Sequence, residues 1–273
     1  FTEQDRALNS LLTKRAEGAL DPVDAGRGVI ADVADLDQQM GKRVNSLYEA
    51  ARNSSGATAD VPSTGLASDL GKIASNFEGD VPDGLLNRFK DFGFLGGKQT
   101  RILDMVEAEK LLKATNDYGD VTNKASGKAI GEIRAALKRA ITEGAEDGGP
   151  FALPRMAAAK RFQMQDSIKA LNDVSNGDVT PDTFIDKYIV KGTHDDVKGL
   201  AGILTKESRD EVKRQIGVVL NRAAYRDDVV GDAPFLAKPY NAELRKIGRG
   251  KLEAFFGKDE TDELFRVGRV AAT

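Results

Sequence analysis

Few residues of this 273-residue chain have types and spacing that could do chemistry. It contains no cysteine, which removes thiolate nucleophiles, disulfides and cysteine-ligated zinc together. The single histidine, His194, stands beside Asp195 and Asp196 in the stretch GTHDDVK. A metal ion would need all three side chains on one point. Consecutive residues at a helix start point in different directions, and carboxylates there complement the positive end of the helix dipole. Thr193 followed three residues on by Asp196 reads instead as an acidic variant of the capping box. Residues 93–100, GFLGGKQT, resemble a phosphate-binding loop, but Gln99 follows Lys98 where that motif needs Ser or Thr, and no strand precedes it. A flexible helix-to-helix joint is the expectation. Glu143, Glu146 and Asp147 could pair for glycoside cleavage, which requires two carboxyls facing each other at about 5 to 9 Å. Their glycine-rich surroundings, EGAEDGGP, make a poor platform for that spacing and a good linker. No nucleophile-elbow serine appears. The expected set of catalytic, cofactor-binding and metal-ligating residues is therefore empty, and no cofactor is expected.

Charge says little more. Forty Lys and Arg face 43 Asp and Glu, a net charge of −3, so no strong positive field surrounds the chain. Arg155, Lys160, Arg161 and Lys169 form one basic side, and Lys206, Arg209, Lys213, Arg214 and Arg222 another. Glu207, Asp210 and Glu211 are interleaved with the second, so pairing along the helix accounts for most of it. Counterion release needs a concentrated patch, which leaves room only for weak contact with DNA.

The elements that would carry these residues are helices. The organising stretch is residues 154–191. Met156, Phe162, Ile168, Leu171 and Val174 are read as the apolar stripe of one helix with a buried face. Pro154 suits its first turn and Gly177 ends it. Thr180 and Pro181 then open a second helix with Phe184, Ile185, Tyr188 and Ile189 inward. Ahead of this pair, Leu8, Leu11 and Leu12 mark a first helix over 3–18. Asp21 and Pro22 open a second over 22–51, about 45 Å long at 1.5 Å per residue. It is long enough to serve as a coiled-coil seam between copies, although burying its stripe at home is the simpler use. Leu66, Leu70, Ile73 and Phe77 mark a third over 63–78, and Leu85, Leu86 and Phe89 a short fourth. Two more follow, one on Ile102, Met105, Val106, Ala108 and Leu112, the other on Val121, Ile130, Ile133, Leu137 and Ile141. Past the central pair, Val197 to Leu204, a helix opened by Thr205, and stripes on Tyr240, Leu244 and Ile247, then Leu252, Phe255 and Phe256, and finally Leu264, Phe265 and Val267, make shorter helices. Ile189-Val190 and Val229-Val230 are too short for strands, and no repeat has a fixed period.

The expected fold is all-α: a multi-helix bundle with long N-terminal helices and a C-terminal cluster of shorter ones. Two regions are expected, 1–148 and 149–273, possible parts of one continuous domain, divided at the EGAEDGGP linker. No apolar run approaches the roughly 20 residues of a membrane span, and no signal peptide opens the chain. The start at Phe1 reads as the edge of a piece of something longer.

Residues 156–204, MAAAKRFQMQDSIKALNDVSNGDVTPDTFIDKYIVKGTHDDVKGLAGIL, then 219–224, VLNRAA, and 240–257, YNAELRKIGRGKLEAFFG, resemble a recurrent helical segment of large bacteriophage virion proteins. These are structural or internal proteins, some linked to DNA ejection. RVNSLYEAAR at 43–52 resembles the segment that precedes it in such chains. The resemblance lies in helix order and apolar placement and brings no site residues. It implies a virion setting, with the host cytoplasm during assembly, and a non-enzymatic structural or assembly role in phage or prophage particles, with a part in genome ejection. Other virion proteins or copies of the same chain would be its partners. A chain that must pass a narrow channel is helped by having no covalent staples, and 28 glycines with only 6% aromatics fit modest stability. An accessory domain of a virion peptidoglycan hydrolase and a DNA-binding module are the alternatives.

Overall fold

A computed structural model describes residues 3–95, 102–118, 123–144, 149–225 and 234–270. The fold is all-α. Its helices are α1 (Glu3–Ala16), α2 (Pro22–Arg52), α3 (Ser63–Asn76), α4 (Asp83–Asp91), α5 (Met105–Ala114), α6 (Lys124–Gly144), α7 (Ala152–Ser167), α8 (Lys169–Asn176), α9 (His194–Ile203), α10 (Lys206–Ala224), α11 (Ala237–Ile247) and α12 (Arg249–Val270). No helix among the described residues is long and apolar enough to cross a membrane. One antiparallel pair of two-residue strands, β1 (Asp60–Val61) and β2 (Leu103–Asp104), closes the ends of α3 and α5. Two residues cannot show an alternation, so periodicity could not have announced it.

The capping expected from the sequence is largely present. Asp21 accepts the amide of Val23 at 2.8 Å. The Thr193 hydroxyl accepts the Asp196 amide, and that of Thr205 the Ser208 amide, each at 3.3 Å. Gly177 closes α8 with φ of 76°, a left-handed conformation that costs a β-carbon dearly. Thr180 behaves differently. Its hydroxyl meets that of Thr183 at 2.6 Å instead of capping a backbone amide. The segment it opens is a 3-10 turn, Pro181–Thr183, running into a π-helical turn, Asp186–Val190.

The central helix differs most from expectation. It is two helices, not one. Ile168 lies between α7 and α8 in an extended conformation, φ −126° and ψ 98°. Met156 and Phe162, expected inside, are 68% and 60% exposed, whereas Ile168 and Leu171 are buried. The break turns Ile168 onto α9, where Gly199 makes room: a β-carbon there would come within 2.8 Å of the Ile168 side chain. Asp196 then caps the exposed Lys169 amide at 3.0 Å. Ile102 is likewise outside its expected helix and 62% exposed.

Packing divides the chain into unit 1, residues 1–41 and 160–273, and unit 2, residues 42–159. This differs from a division at 148/149. The chain leaves unit 1 partway along α2 and returns partway along α7, so both junctions fall inside helices that composition marks as continuous. The linker expected at the boundary, EGAEDGGP, joins α6 to α7 within unit 2.

Unit 1 packs α1 on α10, α10 on α11, and α12 on both α11 and α9. Leu12, Val33, Leu171, Phe184, Ile216 and Tyr240 are among its buried core, and Phe184 lies against Tyr188 with ring centroids 4.8 Å apart. Within this C-terminal part α10 reaches 19 residues, and α12 is bent at Gly257, where φ is 75°. Unit 2 packs α3 and α5 on α6, around Leu66, Leu85, Phe89, Met105, Ile133 and Leu137. Each such side chain contributes about 1.5 to 3 kcal/mol on burial.

Candidate functional site

The residues expected as weak candidates do not assemble into a site. His194 is the first residue of α9, with Nδ1 3.1 Å from Asp195. Asp196 turns the other way, accepting the Thr193 hydroxyl at 2.6 Å and the Lys169 amide. Among the described residues no group of three or more His, Cys, Asp or Glu could hold a metal ion. Residues 96–101, with Lys98, Gln99 and Thr100, lie outside the described residues, as do Val121, Glu146, Asp147, the pair Val229-Val230 and Phe1. An open hollow on α1, lined by Ser10, Thr13, Lys14, Ala16 and Glu17, contains none of the buried acids.

The basic sides are largely occupied. Arg209 donates to the Ala201 carbonyl at 2.7 Å, closing the end of α9. Lys206 pairs with Asp210 and Arg214 with Glu211. Lys213 sits 5.7 Å from the centre of the Phe256 ring. Arg155 and Arg161 lead to two groups that sequence reasoning missed, Glu109 and Asp37, which with Glu211 are buried acids.

Glu109 belongs to unit 2. It lies on the inner face of α5 beside Ala108 and Leu112 and is 8% exposed. One carboxylate oxygen accepts Arg155 Nη1 of α7 at 2.8 Å and the other accepts the Tyr48 hydroxyl of α2 at 3.3 Å. The Arg52 guanidinium stands 5.9 Å from the Tyr48 ring centre. Burial pushes the Glu109 carboxyl above its usual range, and Arg155 only partly offsets it. Burial, with Glu109 beside it, also raises the Tyr48 phenol.

Asp37 belongs to unit 1 and is set the other way. It follows Val33 by one helical turn on α2. Arg161 of α7 grips it with two parallel bonds, Nε to Oδ1 at 2.9 Å and Nη2 to Oδ2 at 2.8 Å, and Gln165 adds a third at 2.9 Å. The guanidinium lies over Gly41 of α2, 3.5 Å from where a β-carbon would be, an ordinary van der Waals distance. The Arg161 hydrogen bonds outweigh burial and hold the Asp37 carboxyl below its usual range. A third carboxylate, Asp173 on α8, gathers the Tyr188 hydroxyl at 2.6 Å and Lys187 at 3.1 Å, fixing the π-helical turn to α8.

A signal for Glu109 and Asp37 was present. Each interrupts an apolar stripe, and an acid there must be partnered by a cation from another helix to be tolerated. The sequence does not say which cation.

A displaced pKa marks a functional candidate only probabilistically. Glu109 has the burial and upward shift of a general acid, yet both its oxygens are engaged, by Arg155 and by Tyr48. What these arrangements do chemically is fasten helices. Replacing Arg155 by Ala should cost about 2 kcal/mol at pH 7, because a buried carboxylate loses its counter-ion. The deficit in urea unfolding should shrink in acid, since protonated Glu109 needs no cation. Glu109→Gln should cost under about 1 kcal/mol, because ionising this buried acid already opposes folding. For Asp37 the sign reverses. Its lowered folded pKa contributes stability that is present above the unfolded value of 3.8 and lost as pH falls through the folded one. Asp37→Asn should therefore destabilise by about 1 to 3 kcal/mol at neutral pH and approach wild type in urea titrations as the pH falls through the lowered folded value.

The class defined by fold and site is thus an all-α protein in which Glu109, Asp37 and Asp173 join one element to another. No family model, curated protein or solved structure matches the chain.

Proposed function

We propose that this chain is a structural and assembly domain of a bacteriophage or prophage virion protein. It works without catalysis, through contacts with other virion proteins or with copies of itself, and serves genome delivery into the host. The observation that carries the structural part is the use made of buried and half-buried charge: Glu109, Asp37 and Asp173 each receive a cation or hydroxyl from another element. The virion setting is supported by the likeness of 156–204, 219–224 and 240–257 to segments of large virion proteins. The lack of cysteine suits a chain that is unfolded and refolded in use.

Mass spectrometry of gradient-purified particles from the source phage or induced prophage tests this directly. Peptides of the chain should co-sediment with the capsid proteins at a fixed ratio. Their recovery only in the soluble lysate would remove the reading. A melting temperature above about 90 °C, the hyperstable range, would count against passage through a narrow channel.

A further inference from the structure

We propose that unit 1 is a topological lock, which must open before tension applied at the two ends of the chain reaches unit 2. The inference goes beyond the virion reading and does not depend on it. Unit 2 is inserted within unit 1, and load enters it only at the two junctions, 41/42 on α2 and 159/160 on α7. Just outside these junctions Asp37 and Arg161 join the two helices through two parallel hydrogen bonds. A load pulling the ends apart must break this clamp before it reaches unit 2.

Nearer the chain ends, the N-terminal segment of unit 1 is joined to its C-terminal segment by further close approaches. A β-carbon on Gly217 of α10 would lie 2.8 Å from the Arg15 carbonyl oxygen of α1. One on Gly26 of α2 would lie 2.0 Å from that of Pro181. The Leu20 amide donates to Glu211 at 3.0 Å. All these contacts join residues below 41 to residues above 160, so separating the ends has to break them. None lies within unit 2, so its core is untouched until they fail. A translocating or unfolding machine engaging either end would meet the same order.

The test is single-molecule extension of the full chain. The sequence has no cysteine, so Glu3→Cys and Arg269→Cys, both at exposed positions, give two unique handles. Two length increments are expected at about 3.5 Å per released residue. The larger, from unit 1, comes first and the smaller second. Forced opening reports the barrier of the element under load. Asp37→Asn should therefore lower the force of the first event and leave the second unchanged, while Ile133→Ala in the core of unit 2 should lower only the second. The smaller increment appearing first, a single undivided event, or a first event weakened by Ile133→Ala would each overturn the proposal.

Discussion

Gly26→Ala should cost unit 1 about 3 kcal/mol or more, a larger loss than removing either arginine clamp. The added β-carbon would stand 2.0 Å from the Pro181 carbonyl oxygen and 2.8 Å from its carbonyl carbon. Both are backbone atoms at the start of a 3-10 turn, so no rotamer change relieves the clash. One element must move by more than an ångström through a packed interior, and overpacking of this kind costs 1 to 3 kcal/mol or more. Gly28, two residues along the same helix, is the control, with nothing within 4 Å of its would-be β-carbon. Gly28→Ala should stabilise by up to about 1 kcal/mol through helix propensity. Urea midpoints of the two variants, read against wild type, should move in opposite directions. Equal shifts would mean that the approach of α2 to Pro181 is not as close as described.

The second large effect concerns the two cores. Phe184 is 0% exposed in unit 1 and Phe89 is 1% exposed in unit 2. Truncating either to alanine should cost about 3 to 5 kcal/mol through lost transfer energy and a residual cavity. The buried clusters around them share no residue. Each truncation should therefore deprotect mainly its own unit in hydrogen exchange, with Phe184→Ala exposing amides of α9, α10 and α11 and Phe89→Ala those of α3 and α6. Uniform loss of protection across both units from either variant would show a single cooperative core.

Much of this architecture was legible because it is local. Helix periodicity placed α2 and α3 within two residues of their ends, and Thr193, Thr205 and Gly177 act at helix ends as their side chains or lack of one dictate. The all-α fold follows from the same stripes. Legibility failed where a residue's fate depends on a distant partner. Met156 and Phe162, read as one stripe with Ile168, stand twelve and six residues before it, about 120° and 240° round a helix, and stay exposed; the break at Ile168 itself is favoured by the space Gly199 leaves and by the Asp196 carboxylate that caps Lys169, more than 25 residues on in sequence. The inserted topology was invisible for a similar reason. Its junctions fall inside continuous helices, whereas the glycine-rich linker that composition marked lies between α6 and the first part of α7, both in unit 2. Glu109 and Asp37 could be noticed as acids on apolar stripes, but assigning Arg155 and Arg161 to them requires the fold. The same two arginines, read from sequence as part of a basic side of the central helix, are turned inward by those acids.

The central claim is that the buried acids hold helices together and do not act on a substrate. Replacing the Glu109–Arg155 pair with two methionines tests it, because a buried ion pair exchanged for apolar side chains of similar volume is often neutral or stabilising. The decisive measurement is clearing of a purified peptidoglycan suspension by wild type and by the Glu109→Met/Arg155→Met double variant, each first shown to be folded by its melting curve. The account predicts no clearing by either protein and a double variant that melts at or above the wild-type temperature. Clearing by wild type that vanishes in an equally well-folded double variant would contradict it and make Glu109 a catalytic acid.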